Sequence, residues 1–309
     1  MHRTFEITVP ATVTPLLQQQ LTALDDVIGL TIQPGASLKP VGDVLTVHVL
    51  NRGADEVLRR ARATVPTPEA LSIVTSEATS FLAPADHHTV DDDRDEAVWE
   101  EMESGLRHQG RITTNYLLLM ALGGSIAAVG LVSEPVPQAV AFVASAIIAP
   151  GFDPMTKVPL GLVLQRWALI GHGLRSALAG YAVLIIAAGL TMASLVAAGE
   201  TTAHALATNS EVQHLAHPRL MELLVSATGA LAGIVMLAAY RRTFQAGPLI
   251  AMAFIPAAAL MGAALAVGEG ALALEGLERF AADWGFIIGL GTLFLGYKQR
   301  FLHRRAPIV

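Results

Sequence analysis

A series of long apolar segments with almost no charge constrains this chain more than any other feature of its sequence. Their lengths are near the roughly 20 residues that a helix needs to cross the hydrocarbon core of a bilayer. The whole chain is 53% hydrophobic and 15% charged, whereas a globular domain has about 25% charged residues. We therefore predict an all-α polytopic membrane domain of about six helices over residues 114–298, followed by a basic tail at 299–309. The predicted spans are residues 115–133, 138–165, 174–198, 220–240, 246–268 and 281–297.

The first 80 residues follow a different pattern, which predicts a small α+β domain over residues 1–80. Four segments alternate apolar and polar residues as half-buried strands do, and two others have apolar residues at helical spacing. The order βαββαβ is that of the ferredoxin-like fold, with a chain break at Gln33-Pro34-Gly35 between strands two and three. Because that fold serves oligomerisation and ligand-sensing modules alike, both roles stay open. The strands are predicted around residues 5–9, 28–32, 45–49 and 71–75, and the helices at 10–24 and 53–64.

Residues 81–113 are predicted to form an acidic linker and a juxtamembrane helix. His87, His88 and Asp91–Asp93 are residue types that bind metals, but their spacing is irregular, and we interpret them as solvated hinge residues. From Asp93 onward the acids come first and the basic residues last, as a helix dipole favours. This helix either lies with one apolar face on the bilayer or a neighbouring subunit, or is a plain connector. The apolar face consists of Val98, Trp99, Met102 and Leu106.

Lysine and arginine residues near the predicted spans indicate the orientation. If both termini are cytoplasmic, eleven of them lie on the cytoplasmic side, as the positive-inside rule requires. The N-terminal segment has no apolar leader, so we expect no cleavable signal peptide. We predict a multi-pass protein of the cell (inner) membrane, and the net charge of −6 argues against a nucleic-acid partner. The eleven residues are Arg107, Arg111, Lys157, Arg166, Arg175, Arg241, Arg242, Lys298, Arg300, Arg304 and Arg305.

Prolines interrupt two of the predicted spans. Pro150 and Pro154 lie close together in span two, and Pro256 lies in span five. Proline removes a backbone donor and clashes with the preceding turn, so the helices should break there. A broken helix at membrane depth is tolerated only where it is buried in protein or lines a watery cavity. We therefore predict an ion or solute pathway at the breaks. Its predicted residues are Pro150, Gly151, Asp153, Pro154, Lys157 and Pro256.

Asp153 is interpreted as the one acid in the interior of a span. An ionisable residue inside a membrane is a candidate for function by default, as a cation ligand or a proton relay. Lys157 lies four residues further on, so the two side chains instead neutralise each other if the chain between them is helical despite Pro154. The sequence leaves both interpretations open.

The two breaks are related by a weak internal repeat. A shift of 106 residues aligns 121–150 with 227–256 and superposes Pro150 on Pro256. The first segment starts on the cytoplasmic side and the second on the outer side, so the repeat is inverted. Inverted repeats with interrupted helices are typical of secondary transporters. The pattern favours three-plus-three inverted halves, with chance similarity among Ala- and Gly-rich helices as the alternative.

Gly171, His172, Gly173 and Arg175 come just before predicted span three. We predict a hinge or gate at these residues, and an ordinary cytoplasmic turn is the alternative.

We predict no metal site and no cofactor. His204, His214 and His217 lie near Glu211 in an outer loop, and although zinc binds such residues, we interpret them as a solvated loop. The absence of cysteine excludes disulfides and thiolate ligands. Small residues in spans one and six favour close helix association and a homo-oligomer. They are Gly124, Ala128, Gly285, Gly289 and Gly291.

The run from Gly130-Leu131 to Ile148-Ala149-Pro150 and Pro154 resembles a bacterial and archaeal family of hydrophobic membrane proteins, domain of unknown function 389. The resemblance covers roughly residues 115–297 and includes the later Ile255-Pro256. This sequence departs from the family pattern at Gly151–Asp153, where mostly apolar residues and a glycine are expected. The resemblance implies a membrane protein and brings no agreed activity.

The sequence thus favours a membrane transporter or channel for an ion or small solute, with a cytoplasmic regulatory or oligomerisation domain. A non-transporting oligomeric membrane scaffold or sensor, whose soluble domain binds a ligand or partner, is the alternative. An enzyme is not predicted, because intramembrane catalysis needs paired carboxylates, a Ser–His pair or a metal cluster at depth.

Overall fold

The computed structural model describes residues 2–77, 98–239 and 251–302. The chain divides into two compact units, one within residues 1–102 and the other within residues 103–299. Three parts of the chain lie outside the described residues. They are the hinge with His87, His88 and Asp91–Asp93, the arginines at 241 and 242, and the tail beyond residue 302.

The N-terminal unit contains a four-stranded antiparallel sheet, which confirms the sheet predicted for this part of the chain. Its strands lie in the order β2-β3-β1-β4, and Phe5 of β1 pairs with Val47 of β3 while Ile7 pairs with Ile73 of β4. The helices α1 and α2 carry buried leucine and valine residues that complete the core. The elements are β1 (His2–Val9), α1 (Thr14–Thr22), β2 (Val27–Leu38), β3 (Val41–Leu50), α2 (Ala54–Thr64) and β4 (Ser72–Glu77).

The chain break predicted at Gln33–Gly35 is wrong. Strand β2 continues to Leu38 with an irregularity between Gln33 and Ser37, and the turn comes only afterwards. Gly35 supplies the positive φ of 62° that the irregularity needs. Asp43 holds this segment in place, because its carboxylate accepts hydrogen bonds from the Gly35 N–H and the Thr14 hydroxyl. These two bonds lower the pKa of Asp43.

The predicted juxtamembrane helix is α3 (Trp99–His108). The four apolar residues of its predicted face are buried within the chain, each at most 1% exposed. Trp99 and Met102 are therefore not available to a bilayer or a neighbouring subunit, and the structure favours the connector. At the start of α3, Glu101 forms an ion pair of 3.1 Å with the buried Arg3.

The second unit is mostly helical and has the helices of a multi-pass membrane protein by length and composition. Four helices are long and apolar enough to cross a bilayer, or up to five if a bent pair forms one span. The predicted count of six is not reached among the described residues, because predicted span five is described only as a helix of 13 residues. The helices are α4 (Thr114–Leu131), α5 (Pro135–Ile148), α6 (Phe152–Val163), α7 (Trp167–Ala197), α8 (Ala203–Thr208), α9 (Ser210–Ala216), α10 (Leu220–Ala238), α11 (Phe254–Ala266) and α12 (Gly270–Tyr297).

Two short helices lie at the centre of this unit. Helix α6 packs against α7 and α12, and α11 packs against α4, α7 and α12. Both are buried on nearly all sides, and α11 is apolar around its whole circumference, as expected for a buried helix. The longer helices instead expose large apolar side chains, which suit contact with lipid. Examples are Leu118, Leu122, Leu178, Ile186, Leu190, Leu224 and Leu293.

Glycine allows the close approach of these helices. A Cβ on Gly262 of α11 would overlap the backbone of Ile185 in α7, and one on Gly124 of α4 would overlap Leu184. Small residues thus serve helix association inside the subunit. Gly285 and Gly289 differ, because open space surrounds their Cβ positions.

Candidate functional site

The first break lies between α5 and α6, which are bent by 53° relative to each other. Pro150 lies in the non-helical link, and Pro154 is the third residue of α6. The first N–H groups of a helix have no intrahelical partner, so a proline in this turn sacrifices no hydrogen bond. Pro154 therefore stands at the beginning of a helix that continues through Lys157.

The second break resembles the first at its helix start. Met252 and Ala253 are not helical, and α11 begins at Phe254 with Pro256 as its third residue. Helix α6 likewise begins with a phenylalanine and has proline third. The alignment by sequence superposed Pro150 on Pro256, but by position in their helices the corresponding residues are Pro154 and Pro256.

The starts of the two central helices meet at Tyr181 of α7. A Cβ placed on Gly151, just before α6, would overlap the Tyr181 hydroxyl. The ring centroids of Tyr181 and Phe254 are 6.4 Å apart, in an edge-to-face arrangement. The hydroxyl has one described hydrogen bond, a 4.0 Å contact with the sulfur of Met155, which is a weak acceptor. The sequence does not single out Tyr181, because a tyrosine in an apolar run carries no charge.

Lys157 is buried on α6, only 2% exposed. Its Nζ donates a hydrogen bond of 3.1 Å to the carbonyl of Gly110. Gly110 has a φ of +57°, and its Cβ position lies 2.7 Å from the ring of Pro154. A glycine is thus required at the point where the segment before α4 meets the start of α6.

Asp153 is half-buried and lies one helical turn before Lys157. Its carboxylate acts electrostatically on Lys157 and on Tyr116. The chain between Asp153 and Lys157 is helical, as the pairing interpretation requires, but the described hydrogen bond of Lys157 goes to Gly110. The geometry therefore leaves the two interpretations of Asp153 open.

A second buried charged pair lies on α12. Asp283 is fully buried and Arg279 is 4% exposed, with Nε and Oδ2 3.5 Å apart. Arg279 also donates a hydrogen bond of 2.5 Å to the Ser226 hydroxyl of α10, and Asp283 lies near the Ala253 N–H before α11. Asp153 is therefore not the one acid inside the helices. Arg279 lies between predicted spans five and six, because the sequence predicts that span six begins at residue 281, whereas the helix begins at Gly270.

Two cavities approach the central helices from opposite ends of the helical unit. The larger, called the basic cavity here, has a volume of about 890 Å³ and reaches Lys157. The second cavity has a volume of about 340 Å³ and reaches Ala253, Pro256 and Arg279. The basic cavity is lined by Glu103, Arg107, His108, Arg111, Ile112, Lys157, Gln165, Arg166, Trp167, Ala168, Leu169, His172, Arg175 and Ser176. The second is lined by Phe142, Val143, Ala146, Glu211, His214, Leu215, Met221, Glu222, Val225, Ala251, Met252, Ala253, Pro256 and Arg279.

The two cavities share no described lining residue. Among the described residues, Gly151, Asp153 and Tyr181 line neither of them. Between the cavities lie the closely packed starts of α6 and α11, where Phe254 and Ile255 are fully buried. The described residues are thus closely packed between the lining of one cavity and that of the other.

The predicted hinge or gate lies inside α7, which begins at Trp167. The turn comes earlier, at Gln165 with its positive φ of 55°. His172 and Arg175 line the basic cavity, whereas Gly173 faces α6. The Cβ position of Gly173 lies 2.8 Å from that of Lys157, but nothing lies within 4 Å of the Cβ position of Gly171. The interpretation of these residues as a turn before span three is therefore wrong.

The residues considered for zinc do not form a site in the described part of the chain, where no three His, Cys, Asp or Glu side chains are arranged to hold a metal ion. His214 instead pairs with Glu211 at 3.9 Å, and His217 pairs with Glu275 at 3.5 Å.

Comparison with known proteins confirms the family resemblance over part of the chain. Residues 146–289 match the family described as Domain of unknown function (DUF389). The match includes both breaks and the Arg279–Asp283 pair, whereas Gly130-Leu131 lies before it. No curated protein and no solved structure matches the chain.

Proposed function

We propose that this protein is a membrane transporter or channel for an ion or small solute, with its pathway at the breaks around Pro150–Pro154 and Pro256. The observation that carries this proposal is the pair of cavities, which approach from opposite ends. One reaches α6 at Lys157, and the other reaches the start of α11 at Ala253 and Pro256. Non-helical backbone at membrane depth is typical of transporter binding sites.

The arrangement of the helices supports two inverted halves of three spans each, the first built from α4 to α7 and the second from α10 to α12. Helix α6 of the first half packs against α12 of the second, and α11 of the second half packs against α7 of the first. Each half thus inserts its short helix against the other half. The shared Phe-x-Pro start of α6 and α11 agrees with this relation.

Transport by this arrangement requires an opening at the centre. In this proposal the described structure is a closed state, in which Tyr181, Gly151 and Phe254 separate the two cavities. We propose that α6 and α11 move apart near Tyr181, so that a solute passes from one cavity to the other. The orientation of the basic residues supports cytoplasmic N- and C-termini in the cell inner membrane. A homo-oligomer and a ferredoxin-like regulatory or oligomerisation domain complete the proposal.

The test is flux through proteoliposomes that contain the full-length protein. Gradients of H⁺, Na⁺, K⁺, chloride and phosphate are applied one at a time, and the flux of each ion is measured. Asp153→Asn removes the charge beside the first break, and we expect it to abolish the flux shown by the wild type while assembly remains intact. Glu200→Gln is the matched control, because Glu200 is an exposed acid outside both cavities, and its flux should equal that of the wild type. Unchanged flux in Asp153→Asn would remove Asp153 from the mechanism.

A non-transporting oligomeric scaffold or sensor is the second candidate, and the complete burial of Phe254 and Ile255 favours it. If the wild type is monodisperse and folded but moves none of these ions, the scaffold becomes the better explanation. The chain has no cysteine, so Ala149→Cys would introduce a unique thiol at the first break. A scaffold predicts that this thiol, at a position 1% exposed, stays inaccessible to hydrophilic reagents from both sides.

A further inference from the structure

We propose that the basic cavity binds a phosphate-type anion, either a free anion or the phosphate of a lipid headgroup, with Lys157 at its inner end. Binding itself does not depend on transport. The identification of this anion as the transported solute does rest on the function proposed above.

Basic side chains outnumber acidic ones among the described residues that line the cavity. Glu103 is the one carboxylate among the described lining residues, and it accepts from both Arg107 at 2.5 Å and Arg166 at 3.2 Å. One carboxylate therefore serves two guanidinium groups. No carboxylate among the described residues pairs with Arg111 or Arg175, which line the same cavity.

Lys157 distinguishes this cavity from an ordinary basic surface. The positive-inside rule accounts for exposed arginines beside membrane spans, but it does not require a lysine that is only 2% exposed. A buried ammonium group normally has a partner that offsets its lost hydration. Lys157 has three donors. Its one described hydrogen bond goes to the Gly110 carbonyl, and the Asp153 carboxylate acts on it electrostatically. An anion in the cavity would accept the remaining donors.

The size and chemistry of the site favour an anion with several oxygens. Guanidinium groups match the geometry of phosphate oxygens, and a lysine adds a point charge. The volume of about 890 Å³ exceeds what a single halide would fill, so it has room for a larger molecule that bears the phosphate. His108 and His172, which also line the cavity, are further donors.

Calorimetry with inorganic phosphate as the titrant tests the free anion, on the full-length protein in a neutral detergent at constant ionic strength. Loss of one charge-assisted hydrogen bond should weaken binding about tenfold, so we expect that loss of affinity in Lys157→Gln. Lys298→Gln is the matched control. Lys298 is also buried, at 1% exposed, and donates to a backbone carbonyl at 3.1 Å, but it lies outside the lining of this cavity. Its affinity for phosphate should stay within about twofold of the wild type.

A second arm tests the lipid source by native mass spectrometry with phosphatidylglycerol and phosphatidylcholine as the probes. Selective retention of phosphatidylglycerol that is lost in Lys157→Gln would identify a headgroup, whereas binding of inorganic phosphate would identify a free anion. If Lys157→Gln fails to fold, the double variant Arg111→Gln with Arg175→Gln replaces it, because both side chains are exposed. The proposal is overturned if the affinity for phosphate and the retention of phosphatidylglycerol are the same in the cavity variants as in Lys298→Gln.

Discussion

At the scale of single residues, the buried Arg279–Asp283 pair has consequences for stability. Asp283 is fully buried, and the groups close to its carboxylate are the Arg279 guanidinium, the Ser226 hydroxyl and the Ala253 N–H, of which only Arg279 is charged. Its charge is therefore balanced mainly by Arg279 at 3.5 Å. Removal of one member of such a pair leaves an uncompensated charge in a medium of low polarity.

We predict that Asp283→Leu is more destabilising than the double variant Asp283→Leu with Arg279→Met. The single variant should lose about 3–5 kcal/mol, because it leaves the Arg279 guanidinium buried and unpaired. The double variant removes both charges and should recover a large part of that loss. Thermal and denaturant unfolding of the full-length protein in detergent measure the loss of stability in each variant. Equal losses in the two variants would contradict the prediction and indicate that Asp283 stabilises the start of α11 instead.

At the scale of elements, the contact between α6 and α7 depends on one glycine. A Cβ on Gly173 would lie 2.8 Å from the Cβ of Lys157 and 2.7 Å from the carbonyl oxygen of Pro154. Both of these atoms belong to the body of α6 and cannot rotate away. The two helices would therefore have to move apart.

We predict opposite effects for Gly173→Ala and Gly171→Ala, which lie two residues apart on α7. Alanine raises helix propensity by about 1 kcal/mol at either position, and nothing lies within 4 Å of the Cβ position of Gly171. Gly171→Ala should therefore raise the melting temperature slightly. Gly173→Ala should lower it, because overpacking costs about 1–3 kcal/mol. Differential scanning fluorimetry measures the melting temperature of both variants. Equal melting temperatures for Gly173→Ala and Gly171→Ala would contradict the prediction and show that α6 can move away from α7 at little cost.

Two of the three prolines at the breaks lie at the start of a helix, whereas the sequence predicts that they interrupt one. Pro154 and Pro256 are each third in their helices, where proline is compatible with helix geometry. Only Pro150 lies in a non-helical link. The sequence thus located both breaks to within a few residues but did not show on which side of each proline the helix resumes.

At the scale of the whole molecule, the number of spans decides where the ends of the chain lie. Six spans put the N- and C-termini on the same side of the membrane, whereas five would put them on opposite sides. The described residues contain up to five candidate spans, with a shorter apolar helix at Phe254–Ala266.

We predict that both termini face the cytoplasm. Because the chain has no cysteine, single variants Ala23→Cys, Glu200→Cys and Phe301→Cys each introduce one exposed thiol. In cells treated with a membrane-impermeant maleimide, Glu200→Cys should be labelled and the other two should be labelled only after lysis. Labelling of Phe301→Cys in intact cells would support five spans and refute the inverted repeat.

The sequence by itself determined the apolar helices, the strands of the N-terminal unit and the approximate positions of the two proline breaks. Hydropathy and alternation are properties of short segments, and each of these features is encoded within one segment. Tertiary structure alone decided that α6 and α11 are the buried centre, that Tyr181 lies where they meet, and that Asp283 is buried with Arg279. Those features depend on which helices pack against each other. Whether a charged group or a hydroxyl is buried is decided by the helices around it and not by the residue type. The same reason applies to Lys157, which the sequence marked as a pathway residue and the structure places at the end of a cavity rich in arginine.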